Sequence, residues 1–276
     1  MAQRELLYGR NAVREAIRGP RQVLELWVSE RAGGHEPWLS EPGAPRLQIK
    51  PERDLSQEAK TREHQGVVAW VEPYRYADAY ELAAAKTPLL ACLDQVTNPR
   101  NLGAVARAAA GAGATGIVVP ARGSAQVTAE VARAAAGAVE HIPIAVVTNL
   151  ARYLEEIKRD DLWIYAADGR AEMSYWQADL SGGVALVFGA EKKGLRPLVR
   201  RRCDDALAIH LLGEVGGDKA DTLALSKLGG QALERVVGHL GEAHLERSER
   251  VRGARAVEDD DATGAAQSYE AGQFVF

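Results

Sequence analysis

The sequence predicts an α/β protein, with a mostly parallel sheet in its larger C-terminal part and a smaller α/β unit ahead of it. Three observations carry this. From Pro88 onward, short and near-continuously apolar segments alternate with helix-forming stretches, as in βαβ units whose sheet is covered by helices on both faces. Before Pro88 the periodic pieces are separated by Pro, Gly and charged residues. The 276 residues hold about two domains at roughly 150 residues each, and 46% hydrophobic with 26% charged residues is an ordinary globular mixture.

Residues 1–75 are expected to form the small unit, with a helix over 11–18, an alternating strand over 23–28 and a second strand over 66–71. A connecting helix over 74–86 follows, rich in helix formers from Glu81 to Lys86 and stopped at Thr87, because the residue before a proline disfavours helix; residues 76–87 are thus the linker. In the larger unit, 88–241, strands are expected at 89–93, 117–119, 142–146, 162–166, 184–188 and 206–209. Helices are expected at 102–112, 125–139, 150–159, 195–203 and 223–240. Residues 242–276 mix both signs of charge with small residues and have almost no apolar periodicity, so a disordered tail is expected there.

The longest apolar runs, such as 88–93 and 184–188, are far short of the ~20 residues of a membrane span, and the first ten residues lack the apolar core of a signal peptide. This points to the cytoplasm, with no membrane partner. Cys92 and Cys203 are too few for a disulfide framework and lack the spacing of a zinc site, so both are expected to be buried thiols and no metal is expected. The net charge of −4 argues against a protein wholly wrapped in nucleic acid, although Arg196, Arg200, Arg201 and Arg202 cluster after an apolar strand.

Gly111, Gly113 and Gly116 have the spacing of a dinucleotide fingerprint, but they follow a helix and precede a strand, the inverse of what that site needs. They read as a helix stop and a turn. Gly189 and Gly194 have the spacing of a phosphate loop, but Leu195 and Arg196 stand where a lysine and a hydroxyl are required, so nucleotide hydrolysis is not supported. Further upstream a strand ends at Asp94, a polar loop carries Asn98, Pro99, Arg100 and Asn101, and a helix begins at Leu102 with Arg107 inside it. Amides, a helix N-terminus and a guanidinium then sit at the carboxyl end of a parallel strand, where open α/β sheets bind ligands. Arg107 on an Ala-rich helix equally suits a solvated face. In VALVFGAEKKGLRPLVRRRC a buried strand leads into a glycine turn with Glu191 and an arginine-bearing helix; the turn either admits a ligand close to the backbone or is purely structural.

Taken together, the two segments resemble the first and second motifs of the SpoU (TrmH) family of RNA ribose 2′-O-methyltransferases, most closely the RlmB-like branch acting on guanosine in large-subunit rRNA. LLYGRNAVREAIR and HQGVVAWVEP resemble that branch's ribosomal-protein-like substrate-binding domain, and SAQVTAEVARAAAGAVEHIPIAVVTNLAR resembles the link between the motifs. The resemblance covers nearly the whole chain to about Leu240.

The resemblance implies a SPOUT-type fold whose C-terminal part is threaded into a trefoil knot, with S-adenosylmethionine held there largely by backbone groups. It implies cofactor contacts at Gly189, Ile209, Leu211 and Leu223, and an active site built from Asn101, Arg107, Glu191 and Thr222. It also implies a homodimer and an RNA partner, rRNA first and tRNA as the alternative. Arg196 and Arg200 near the cofactor, with Arg10 and Arg14 on the small unit, are the candidate phosphate contacts, though such runs also form solvated faces. His64 and Gln65 match the family without an assigned role. The third motif departs from it: Thr222-Leu223-Ala224 stands where Ser-Leu-Asn is typical, so a hydroxyl is kept while Ala224 offers neither donor nor acceptor. Two readings follow: a methyltransferase acting on the ribose 2′-hydroxyl of RNA, or an RNA-binding or ribosome-assembly factor of the same fold with impaired transfer.

Overall fold

The computed structural model describes residues 4–208 apart from 35, 41–44, 179, 181 and 192; the expected helix over 223–240, the third motif and the tail over 242–276 lie outside the described residues. The small unit runs through β1 (Glu5–Tyr8), α1 (Arg10–Arg18), β2 (Val23–Val28), α2 (Glu30–Gly33), β3 (Leu47–Ile49), α3 (Glu52–Ala59) and β4 (Val67–Val71). Its sheet has the order β1-β4-β2-β3, with β4 antiparallel to both neighbours and β3 parallel to β2. The central strand β4 is buried along its whole length and therefore needs cover on both faces. Val67, Ala69 and Val71 join the main core, while Val68 and Trp70 pack with Leu55 and Ala59 of α3. The expected helix and both expected strands of this unit are present. The sequence reading omits β1, β3 and α2, which are only three or four residues long, and α3, which buries only Leu55 and Ala59.

Beyond it follow α4 (Ala79–Ala83), β5 (Leu89–Asp94), α5 (Pro99–Gly111), β6 (Gly116–Pro120), α6 (Ala129–Ala134), β7 (Ile144–Val147), α7 (Leu150–Glu156), β8 (Leu162–Ala167), β9 (Gly183–Gly189), α8 (Pro197–Arg200) and β10 (Asp205–Leu207). These six strands are parallel and lie in the order β10-β8-β9-β5-β6-β7. Leu89, Ala91, Leu93, Ile117 and Val119 face the core shared with α5 and α6; Leu90, Cys92, Val118, Ile164 and Val187 face the core shared with α4, α7 and α8. The near-continuous apolar runs of the sequence are the result.

Four helices are shorter than their sequence patterns, each for a local reason. The stretch 74–86 is helical only in α4, because Ala77 donates its N–H to the Ile144 carbonyl at 2.9 Å alongside β7 and Asp78 then caps the helix. The stretch 125–139 breaks after α6 at Ala136 and Gly137, with φ of 52° and 88°. There α1 passes so closely that a Cβ on Gly137 would stand 2.5 Å from the Glu15 Cβ. α7 stops before Arg159, whose guanidinium turns back onto the carbonyls of Ala83 and Ala85. α8 starts only at Pro197, because Arg196 is extended and held by Asp94.

The two sheets share one core, in which Val13 and Ala16 of α1 meet Val131, Ala135 and Val139. Arg21 is buried between them. Its Nε donates to Glu140 Oε2 at 2.9 Å, its Nη2 to Glu140 Oε1, and its Nη1 to Glu5 Oε2 at 3.2 Å, with the guanidinium 5.3 Å from the Tyr74 ring centre. Burial, with the Glu140 charge, pushes the Tyr74 phenol up to about 12. Among the described residues no helix is long and apolar enough to cross a membrane.

A buried pair stripped of one partner leaves an uncompensated charge. Glu140→Ala, which leaves Arg21 the more exposed Glu5 as its one remaining carboxylate partner among the described residues, is expected to lower stability by about 3 kcal/mol in urea denaturation. Arg21→Met combined with Glu140→Leu removes both charges and is expected to recover most of that loss.

Candidate active site

β5 and β9 are neighbours, yet the chain leaves them in opposite directions: β5 leads to β6 on one side and β9 to β10 on the other. Such a switch opens a crevice at the carboxyl ends of the two strands, the place where open α/β sheets take ligands. Asp94 and Gly189, the last residues of the two strands, stand side by side in the register.

The Asp94 residue is fully buried, and a buried carboxylate is tolerable only if paired and hydrogen-bonded. Arg196 provides both. Its backbone N–H donates to Oδ2 at 2.8 Å and its Nε to Oδ1 at 2.8 Å, with Nη2 at 2.7 Å from Oδ1. The segment after β9 is thereby tied to the end of β5. Within it, Ala190 and Gly194 exchange backbone hydrogen bonds of 3.1 and 2.8 Å around a tight loop that Gly194 turns at φ 63°. A Cβ on Gly189 would lie 2.2 Å from the Gly194 carbonyl carbon, so only glycine closes this loop.

On the β5 side, the Asn98 side chain accepts the Arg100 N–H at 2.9 Å and Pro99 occupies the first turn, where its missing N–H costs nothing; α5 therefore starts earlier than the sequence pattern alone indicates. Asn101 in that turn donates its Nδ2 to Glu191 Oε1 and so locks the start of α5 to the loop after β9. Gly103 lets α5 lie against α6, since a Cβ there would be 2.6 Å from the Ala134 Cβ. Most of the helix is buried; Arg107 lies on its exposed side, about 9 Å along the axis from Asn101.

Of the expected site residues, the structure brings Asn101, Glu191 and Gly189 together at the crevice, with Arg107 on the same helix. Thr222, Ile209, Leu211 and Leu223 lie outside the described residues, as does Ala224. The arginines after β9 are directed to different partners: Arg196 to Asp94, and Arg202 to Glu155 at 2.7 Å, with Arg200 half-buried. On the small unit Arg10 meets Glu36 and Arg14 meets Glu15, each at 2.8 Å. Sequence reasoning gave no role to Asp94 or to the Asn98 cap. Both left a signal, a charge closing a buried strand and an Asn-Pro step before a helix. Burial raises the Cys92 thiol far above its ordinary value and the Cys203 thiol to about 11, so neither is a thiolate nucleophile at neutral pH. Among the described residues no group of three His, Cys, Asp or Glu side chains is placed to hold a metal.

Residues 88–216 match the SpoU rRNA Methylase family, and residues 6–77 match the RNA 2'-O ribose methyltransferase substrate binding family. The 23S rRNA (guanosine-2'-O-)-methyltransferase RlmB of Pseudomonas aeruginosa is 40% identical over 227 residues, which cover 78% of this chain and 90% of that one. A solved RNA 2'-O ribose methyltransferase superposes with a TM-score of 0.67 at 26% identity, over 86% of this chain and 89% of its own. The SpoU methyltransferase AviRb of Streptomyces viridochromogenes, solved in complex with AdoMet, shares the fold with a TM-score of 0.68 at 19% identity, over 87% and 90% of the two chains.

Because the clash at Gly189 is with backbone, Gly189→Ala is expected to cost at least about 2 kcal/mol in chemical denaturation and to speed amide exchange at Ala190 and Gly194.

Proposed function

The chain belongs to the SpoU rRNA methylase family, and from that membership we propose that it transfers a methyl group from S-adenosylmethionine to a ribose 2′-hydroxyl of RNA, on guanosine of large-subunit rRNA. The observation that carries this is the topological switch at β5 and β9, with Asn101 of the first motif hydrogen-bonded to Glu191 of the second across it. The guanosine target is supported by the name of the Pseudomonas aeruginosa relative.

The described residues fit the cofactor: the strand end at Gly189 presents backbone in place of a side chain, and the one fully buried carboxylate there is already neutralised by Arg196. Ile209, Leu211 and Leu223 would complete the contacts from beyond residue 208. When bound, S-adenosylmethionine supplies an electrophilic methyl group on a sulfonium. The chain's own residues must hold the 2′-hydroxyl in line with that methyl and ease the loss of its proton as the new O–C bond forms. A guanidinium stays protonated near neutrality and cannot take the proton, which passes to solvent water as the methyl–sulfur bond breaks and a neutral thioether leaves; Arg107 stabilises the negative charge that develops on the oxygen. Asn101 and Glu191, bonded to each other, hold α5 at a set distance from the loop after β9, so that hydroxyl and methyl donor meet across the crevice. Thr222 would add a hydroxyl to the same site.

In this reading residues 1–75 bind the RNA substrate, 76–87 link, and 88–241 form the methyltransferase unit with its trefoil knot, acting as a homodimer in the cytoplasm. Arg10, Arg14 and Arg200 contact phosphates, and Arg196 contributes what its clamp on Asp94 leaves exposed.

The test is transfer of labelled methyl from S-adenosylmethionine to unmodified large-subunit rRNA, followed by digestion to nucleosides. Label in 2′-O-methylguanosine is expected. Arg107→Ala is expected to lower kcat about 10²–10³-fold, the scale of a lost charge-stabilising donor. Arg107→Lys is expected to lose at least tenfold, since the planar fork is gone; wild-type turnover would overturn the role given to the guanidinium. Ala224 in the third motif favours the second reading, a binding factor. Cofactor binding without transfer to rRNA or tRNA, with transfer restored by Ala224→Asn, would establish it.

A further inference from the structure

The small unit carries an open groove of about 690 Å³ whose lining includes none of the described active-site residues Asn101, Arg107 and Glu191. Four arginines line it, Arg10, Arg31, Arg53 and Arg62, against a single lining carboxylate, Glu52. In a chain of net charge −4 the lining is locally cationic. Arg10 shares its charge with Glu36 at 2.8 Å and Arg53 with Asp54 at 3.0 Å, and Arg53 is 87% exposed.

The floor of the groove is built to a definite geometry. His64 is buried, accepts the Gly66 N–H on Nδ1 at 3.0 Å and so carries its proton on Nε2, which stands 2.8 Å from Ser56 Oγ. Burial holds its pKa below the ordinary value, Glu52 opposing, so the ring is a neutral, oriented donor that leaves the Ser56 hydroxyl proton for another acceptor. Gln65 sits at φ 54°, a conformation costly for a non-glycine residue and associated with functional sites when the surroundings enforce it. Here Arg10 enforces it: the Arg10 N–H donates to Gln65 Oε1 at 3.0 Å and Arg10 Nε to the Gln65 carbonyl at 3.2 Å. With its amide oxygen engaged by Arg10, Gln65, which lines the groove, has its NH₂ group as the remaining polar end of its side chain.

The rim is also joined to the crevice. Glu63, next to His64, pairs with Arg133 of α6 at 2.6 Å, and α6 packs at Gly103 against α5, the helix carrying Asn101 and Arg107. We infer that the groove binds an unpaired stretch of the RNA substrate, its arginines on successive phosphates and its Ser56, Gln65 floor on a base edge or ribose hydroxyl, and that it anchors the strand at a set distance from the methyl-transfer site. Planar guanidinium forks suit phosphate oxygens, and an open groove admits a continuing chain where a closed pocket would select a free nucleotide. Among the described residues no Phe, Tyr or Trp lines it, and the His64 ring is held by its own hydrogen bonds, so the affinity is mainly electrostatic and salt-dependent. This inference rests on the methyltransferase reading above for its substrate.

The test is filter binding of the full chain to an unmodified large-subunit rRNA transcript across a salt series, for the wild type, Arg53→Ala, Arg62→Ala and the double variant. Arg170→Ala, an 84% exposed arginine away from the groove, is the control. Each groove variant is expected to weaken binding several-fold and to lower the slope of log Kd against log salt by about one; the double variant is expected to lose at least tenfold. Calorimetric affinity for S-adenosylmethionine is expected to stay at the wild-type value, while KM for RNA rises by the binding factor. Wild-type Kd and slope in the double variant would overturn the inference, as would an equal loss in Arg170→Ala. A loss that sedimentation traces to altered self-association would also overturn it, making the groove a contact between copies of this chain. If the groove variants lose RNA binding but the wild type transfers no methyl, the groove stands and the methyltransferase reading falls.

Discussion

A fully buried carboxylate at the end of a parallel strand has to be answered by a cation, and the answer to Asp94 organises this molecule. Arg196 comes to it from 102 residues further along the chain, with three nitrogens within 2.8 Å of its oxygens. Once that clamp is closed, the segment leaving β9 must run beside the end of β5, α8 can begin only after it, and the loop between has room only for glycine at position 189. The Asn101 to Glu191 hydrogen bond then joins the helix on one side of the switch to the loop on the other. The crevice is therefore held open by contacts made within the protein, before any ligand arrives.

Close backbone approach is the second theme. Gly103 brings α5 onto α6, and Gly137 brings α1 onto the turn after α6. Both are places where any side chain would meet backbone or another Cβ. Together with the buried Arg21 and Glu140 pair they make the small unit and the large sheet one packed body, with a shared core. If the small unit binds RNA as proposed, so rigid an attachment holds the substrate in a fixed relation to the crevice, and positioning is the main thing a methyl transfer to a weak nucleophile requires of a protein.

The strands of the large sheet were legible because a strand covered on both faces must be apolar throughout, and all six expected segments are strands in the structure. Helix ends were less legible. Asp78, Asn98 and Arg196 set where α4, α5 and α8 begin, through caps and a clamp whose partners only the folded chain brings into place. The short β1 and β3 gave too few alternations to register as strands, and they exist because β4 and β2 offer them edges to pair with.

By itself the sequence determined the α/β class, the positions of the major strands along the chain, the two motif segments and the family they resemble, since each is written in local periodicity or in residue identity at short spacing. The tertiary structure decided which strand ends adjoin, and so placed Asp94 beside Gly189 and Asn101 against Glu191, pairs that lie about ninety to one hundred residues apart in the chain. It also decided that Arg196 serves Asp94, that Arg21 joins the two units through Glu140, and that four arginines from separate elements of the small unit line one groove. The physical reason is the same in each case. The energy of a buried charge or a glycine contact depends on what the fold brings within a few ångströms, and no local pattern of residues records that distance.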